Sequence, residues 1–273
     1  MSKAYLFGRA IFATAIAGLG VQCLLRGNAV PVLEPVSSSS LPLIGWITGL
    51  VLVAAALLTM LRPTAHYGAA MIAAMLLLWV LLLHAPALAS APTNGGEWTG
   101  ALETIALSGA AIVLFGLTRG AAGYEREPDQ LAKRASTIGR ILYGVAMPGF
   151  GVLHFIYVVY TASVIPDWIP AHVFFAYAMG VAHIASGLSL LTGVLSRLAA
   201  RLTAAMFGSW VIILHIPRML AHPDRPGEWT SMLIATGMCG GALLIASALS
   251  NIPSASESLA DSPSAVSRPT VLA

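Results

Sequence analysis

Three histidines pose the first chemical question. His154, His183 and His215 stand in three successive apolar stretches of the second half of the chain, where hydrocarbon cannot solvate an imidazole and each ring needs a partner or a purpose. Rings from neighbouring helices that turn into one interior can hydrogen-bond the oxygens of a flat ligand, serve as axial ligands, or relay protons. Tyr177 and Trp210, with Tyr157 and Phe174, are the candidate ring neighbours. The structural alternative is that each imidazole donates to a backbone carbonyl and ties helices together. A polar mouth for the same region is expected from Asp167, Arg218 and Glu228. Glu228 opens an apolar stretch, where a helix dipole favours an anion, and can pair with His215 or Arg218 across a short loop. Capping by Glu228 and interfacial anchoring by Trp229 also account for these residues without any activity.

Positioning such groups falls to membrane helices. Of the 273 residues, 58% are hydrophobic and 9% charged, with a mean hydropathy of +0.83. A soluble domain carries roughly 25% charged residues, so a soluble architecture is excluded. Apolar stretches run from about Ala4 to Leu25, Leu41 to Leu61, Thr64 to Ala89, Trp98 to Leu117, Ile138 to Thr161, Ala171 to Gly193, Arg197 to Met219 and Trp229 to Ala248. Each holds the about 20 residues that cross a bilayer core, and each exceeds a barrel strand of about 10. The predicted fold is all-α and integral to the membrane, with eight transmembrane helices and the lipid bilayer as partner.

The basic residues orient it. With the amino terminus inside, Lys3, Arg9, Arg62, Arg119, Arg126, Lys133, Arg134, Arg140, Arg197, Arg201 and Arg268 share the cytoplasmic side, against Arg26, Arg218 and Arg225 outside. That bias predicts a multi-pass protein of a bacterial-type inner (plasma) membrane with both termini cytoplasmic. The net charge of +3 comes without a basic stripe, so no nucleic-acid partner is assigned. Cys23 and Cys239 lie inside apolar stretches and form no metal-ligand ladder, so no metal site is assigned.

A repeat organises the chain. His84-x-Pro86 recurs as His215-x-Pro217, and Gly96-Glu97-Trp98-Thr99 as Gly227-Glu228-Trp229-Thr230, both 131 positions on. The same offset pairs Gly8-Arg9 with Gly139-Arg140, Pro35 with Pro166, Gly49 with Gly180, Met75 with Met206 and Trp79 with Trp210. The recurrence of Gly8-Arg9 marks the first stretch as a retained helix rather than a secretory signal. A duplicated four-helix unit follows, in parallel orientation because each unit has an even number of crossings. The expected arrangement is two parallel-repeat four-helix bundles: residues 1–118, a cytoplasmic linker at 119–137, residues 138–250, and a disordered cytoplasmic tail at 251–273. Ser37 to Ser40 form a polar run to which no chemistry is assigned. The counterparts of His154 and His183 are Cys23 and Leu52, so a polar site is expected in the second half alone. Glu103, whose counterpart is Ile234, is either a buried acid or one that reaches the interface. Gly237-x-x-x-Gly241 suits close helix packing.

The sequence resembles the DoxX-like membrane proteins, whose usual unit is a four-helix bundle. Gly139-Arg140, the Ile165-Pro166-Asp167-Trp168-Ile169-Pro170 loop, Gly180-Val181-Ala182-His183-Ile184-Ala185-Ser186-Gly187, Ser196-Arg197-Leu198-Ala199-Ala200 and His215-Ile216-Pro217 carry the resemblance. It covers 138 to 248, with 4 to 117 similar to a diverged second copy. The resemblance implies a membrane subunit of a redox assembly linked to quinones, thiols or sulfur compounds, working with a soluble redox subunit.

Two readings of function follow. In the first, an oxidoreductase-associated subunit holds a quinone among the fifth to seventh helices, with His183 and His154 as donors to its carbonyl oxygens; a haem between two histidines is the second choice of cofactor. In the second, a small-molecule or proton-coupled transporter runs a polar path from Glu228 and Asp167 past His215 to His183. The sequence holds no nucleotide loop, nucleophile elbow or H-E-x-x-H, so electrons for any catalysis come from elsewhere.

Overall fold

The computed structural model describes residues 2–27, 30, 42–121 and 129–250. Pro35, Ser37 to Ser40, Arg126, Arg268 and the expected tail at 251–273 lie outside the described residues. The chain forms α1 (Lys3–Arg26), α2 (Pro42–Met60), α3 (Ala65–Trp79), α4 (Ala85–Ser90), α5 (Gly95–Ala121), α6 (Gln130–Ile156), α7 (Val158–Ser163), α8 (His172–Thr192), α9 (Ser196–Trp210), α10 (Ile216–Ala221) and α11 (Pro226–Ser250). Single π-helical turns, Val80–His84 and Val211–His215, join α3 to α4 and α9 to α10 into two continuous rods. No strand occurs among the described residues.

Eight of these rods are long and apolar enough to cross a membrane. Leu25, Leu43, Leu57, Leu81, Val159, Ile212 and Leu220 stand exposed on the outer surface. In water such a girdle would drive association; a bilayer solvates it, and helices satisfy their own backbone bonds there. The fold is that of a multi-pass membrane protein.

The helices close two rings that share an edge. One ring is α11, α1, α2, α3 and α5; the other is α5, α6, α8, α9 and α11; α5 against α11 is common to both. This differs from two self-contained four-helix bundles, because α1 packs on α11 and α6 on α5, so each half's first helix lies against the other half's last. Glycine explains the α5–α6 seam: a Cβ on Gly139 would stand 2.3 Å from the carbonyl oxygen of Gly109, so only glycine lets these backbones come so close. Gly237-x-x-x-Gly241 acts as expected, since a Cβ on Gly241 would stand 2.6 Å from Ala110 of α5.

The Gly-Arg pairs have a structural task. The Arg9 Nε donates to the Thr59 carbonyl in the last turn of α2, and the Arg140 Nη1 donates to the Leu190 carbonyl in the last turn of α8. Both carbonyls are helix-end acceptors without an intrahelical partner. Arg9 is buried, which makes the bond costly to lose.

The segment joining the halves is shorter than the expected linker at 119–137. Helix α5 runs to Ala121 and α6 starts at Gln130. The Asp129 carboxylate accepts from the backbone N–H groups of Leu131 and Ala132, and its other oxygen lies 2.6 Å from Arg119 Nε. An N-cap with a cross-helix cation starts α6 two turns earlier than hydrophobicity indicates.

Two outcomes are expected. Arg9→Ala should cost about 1.5–3 kcal/mol, as for a buried charged hydrogen bond, and lower the thermal midpoint of the detergent-solubilised protein. Arg62→Ala, at an exposed residue, should change stability by less than about 0.5 kcal/mol. For Asp129, burial raises the carboxyl pKa, but the Ala132 and Leu131 N–H groups and Arg119 outweigh it and hold it below the ordinary value. The stability it contributes is complete above the ordinary carboxylate range and is lost as pH falls through the lowered value. Thermal melts of Asp129→Asn against the native chain should differ at neutral pH and converge in acid.

Candidate functional site: a hollow second ring

The second ring encloses a cavity of about 900 Å³, within the size of sites that hold small organic ligands. Its wall brings together His154, His183, His215, Trp210, Arg218 and Glu228. In the first ring, Leu19, Cys23, Leu52, Ile72, Leu76 and Leu107 are wholly buried in the core.

The two deep histidines meet because of a glycine crossing one turn away. Gly151 of α6 and Gly180 of α8 face each other, and a Cβ on Gly151 would stand 2.6 Å from the Gly180 carbonyl oxygen. Each glycine precedes a histidine by three residues, so His154 and His183 leave the crossing on the same faces. Their ring centroids are 4.9 Å apart at 37°. Phe150 packs edge-on to His183 at 5.8 Å and Phe207 does the same at 5.6 Å.

Each ring is held by its own helix. Nδ1 of His154 lies 2.8 Å from the Phe150 carbonyl oxygen and Nδ1 of His183 2.8 Å from that of Met179. A carbonyl only accepts, so Nδ1 carries the proton and the neutral ring leaves Nε2 as an acceptor. Neither Nε2 bonds to a described residue. The sequence leads one to expect donors to a quinone's carbonyl oxygens; the structure presents acceptors instead. His84, the counterpart of His215 in the first half, is arranged the other way. Thr104 spends its hydroxyl proton on the Gly100 carbonyl, so the His84 Nε2 at 3.2 Å donates to Thr104. His84 is a helix tie, while His154 and His183 combine a tie with a bare nitrogen.

The mouth is built on the π turns. Pro86 and Pro217 lack the N–H that would continue the helical ladder, and the preceding turn widens. The widened turn ends on His84 in one rod and on His215 in the other. His215 lines the cavity and makes no direct hydrogen bond. Arg218 grips Glu228 with both arms, Nε to Oε2 at 2.9 Å and Nη2 to Oε1 at 2.8 Å. Trp229 donates to the Pro223 carbonyl at 3.0 Å, as Trp98 does to Pro92 at 2.8 Å, so both indoles brace their loops.

Three expected site residues stand elsewhere. Tyr177 is 40% exposed with its ring against Phe155 at 5.4 Å, because its place six residues before His183 puts it on another face of α8. Phe174 shares that outward face. Asp167 is exposed and off the cavity wall. Its loop turns Ile165 and Ile169 inward, against Ala162 and Ala176, and leaves Asp167 and Trp168 outside. Tyr157 and Trp210 do line the cavity; the first donates to the Thr93 carbonyl at 2.8 Å and the second to the Met179 sulfur at 3.2 Å.

The site also draws on the first half, which sequence reasoning left out. Glu103 of α5 reaches the cavity wall, neither of its oxygens makes a hydrogen bond, and Oε2 is fully buried. Phe150, Phe207 and Met179 were likewise missed. The shared Gly-x-x-His spacing of Gly151–His154 and Gly180–His183 was the available signal for the crossing.

The histidine pair does not fit a haem. An iron with nitrogen ligands about 2 Å away on opposite faces holds the ring centres roughly 6 Å apart, and these centroids are 4.9 Å apart. No group of three or more His, Cys, Asp or Glu side chains is placed to hold a metal among the described residues. No protein-family model, no curated protein and no solved structure matches the chain.

For the mouth, a double-mutant cycle on Arg218→Met and Glu228→Gln should give a coupling of about 0.5–1 kcal/mol. The pair is bidentate, but the Arg218 side chain is 38% exposed and water screens it. Thermal melts in one detergent measure the cycle.

Proposed function

We propose that this chain is a membrane subunit of a redox system and that its cavity holds a quinone-type ligand. The observation that carries the reading is the pair of touching imidazoles, each with a bare Nε2, in a cavity walled by Phe150, Phe207 and Trp210. An apolar slot with a few fixed polar groups is what a flat redox ring with one or two oxygens needs. The polar groups act on the ligand as follows. His154 and His183 present acceptor nitrogens to it, Trp210 and the phenylalanines bound its plane, and the Arg218–Glu228 pair keeps the mouth polar without a free cation. The ligand supplies the electron chemistry, and the absence of a nucleotide or nucleophile motif leaves electron delivery to a soluble partner.

The same reading places the chain among the DoxX-like proteins as a tandem duplication. What supports the duplication is the recurrence at one offset of whole elements. Helices Ala65–Trp79 and Ser196–Trp210, the two π turns, and the Arg9 and Arg140 bonds to helix-end carbonyls stand 131 positions apart. What supports an inner-membrane location with cytoplasmic termini is the basic bias, with Arg26, Arg218 and Arg225 alone on the opposite side.

Purification in a mild detergent, followed by extraction and mass spectrometry, should recover a quinone near one per chain. His183→Ala should lower that content at least fivefold while the thermal midpoint changes little. A preparation free of quinone would overturn the reading, and solute flux in proteoliposomes that is lost on His183→Ala would establish transport in its place.

A further inference from the structure

The polar groups inside the cavity differ in kind from those at its mouth. Deep in the ring the available atoms are the Nε2 acceptors of His154 and His183 and the carboxyl of Glu103. A carboxyl accepts at its carbonyl oxygen in either protonation state and, when protonated, also donates through its hydroxyl, so Glu103 suits either redox form and the two imidazoles carry the discrimination. Donors in the same wall are already spent: Thr99 bonds the Gly95 carbonyl, Tyr157 the Thr93 carbonyl, Thr161 the Tyr157 carbonyl and Trp210 the Met179 sulfur. Groups still able to donate stand toward the mouth: Ser231 and His215 lie within a turn of the Arg218–Glu228 pair, and Asn94 and Tyr160 are exposed.

A quinone ring offers only acceptors, two carbonyl oxygens. Its reduced form offers two hydroxyl donors. A buried acceptor left facing another acceptor loses its hydration without replacement, whereas a hydroxyl supplies the missing bond. We propose that the cavity is selective for the reduced hydroquinone, with one hydroxyl donating to the His154–His183 pair and the other to Glu103 on the α5 wall. This rests on the reading of the cavity as a quinone-type site and adds the redox state and the residue from the first half. Glu103 is then a binding residue present in one copy only, since Ile234 takes its place on α11.

Each hydroxyl bond is worth about a tenfold factor in affinity. A tenfold preference for the reduced form raises the midpoint potential of the bound two-electron couple by about 30 mV. Bound ligand would therefore resist giving up electrons to a weak acceptor and deliver them to a stronger one, supplied by a partner.

The test uses full-length protein in lipid nanodiscs, freed of endogenous ligand, with decylubiquinol kept reduced under anaerobic conditions and decylubiquinone as probes. The native chain should bind the quinol at least tenfold more tightly than the quinone. His183→Leu should lower quinol affinity about tenfold and leave quinone affinity within about twofold, whereas Glu103→Leu should weaken both forms and leave their ratio within about twofold. Glu103→Gln keeps an acceptor oxygen and should retain most of the preference; it also guards against a folding defect in the leucine variant. Equal affinity for the two forms, or tighter quinone, overturns the selectivity while leaving a quinone site standing. Binding of neither form overturns the selectivity together with the reading it rests on.

Discussion

The approach of α6 to α8 at Gly151 and Gly180 is the constraint on which the rest of the site depends. Two backbones come close enough that a Cβ on Gly151 would stand 2.6 Å from a carbonyl oxygen, and the residues one turn on are brought into ring contact. Histidine at both of those positions makes a polar pair; the equivalent crossing in the first ring, Gly20 with Gly49, leads to Cys23 and Leu52 and makes a packed core. One scaffold thus gives two outcomes, decided by the residues after the glycines. The histidine Nδ1 bonds complete the arrangement, because each ring satisfies its donor on its own helix and can aim the other nitrogen only at the cavity.

Interlocking of the halves has a functional consequence. Because α5 closes the second ring, the hollow site has one wall from each half, and substitutions in the first half can act directly on whatever the cavity holds. Glu103 is the case in point: Ile234 takes its place in the other half, it stands in the cavity wall, and its carboxyl makes no hydrogen bond with a described residue. The first ring, filled with Leu19, Leu52, Leu76 and Leu107, supplies rigid support for that wall. Conversely the Arg9 and Arg140 bonds, the Trp98 and Trp229 braces and the His84–Thr104 tie account for many intramembrane polar residues without any ligand, so polarity in a span is not by itself a mark of function.

Much of the architecture was legible in the sequence. Helix length and composition predicted eight spans, because both are written locally in the sequence. His154, His183, His215, Trp210, Arg218 and Glu228 were legible as a group because polar residues in apolar stretches are few. Tyr177 and Asp167 were misplaced because proximity along the chain says nothing of helix face or loop direction. Partnering between helices was also hidden: that α1 packs on α11 depends on which small-residue seams meet, and glycines occur in every span. The tautomer of the pair was hidden too, for it is set by two carbonyls four residues back, which every helix possesses and only some histidines use. Within the expected linker at 119–137, Asp129 and Arg119 start and tether a helix, which charge along the sequence does not reveal.

Nitrogen NMR of the histidine rings, in protein labelled with nitrogen-15 at histidine and held in nanodiscs without ligand, tests the central claim most directly. The account predicts two rings with a protonated Nδ1 and an unprotonated Nε2, each signal lost on His154→Gln or His183→Gln and the survivor shifted. Rings protonated at Nε2 with a bare Nδ1, or two signals indifferent to each other's removal, would contradict it.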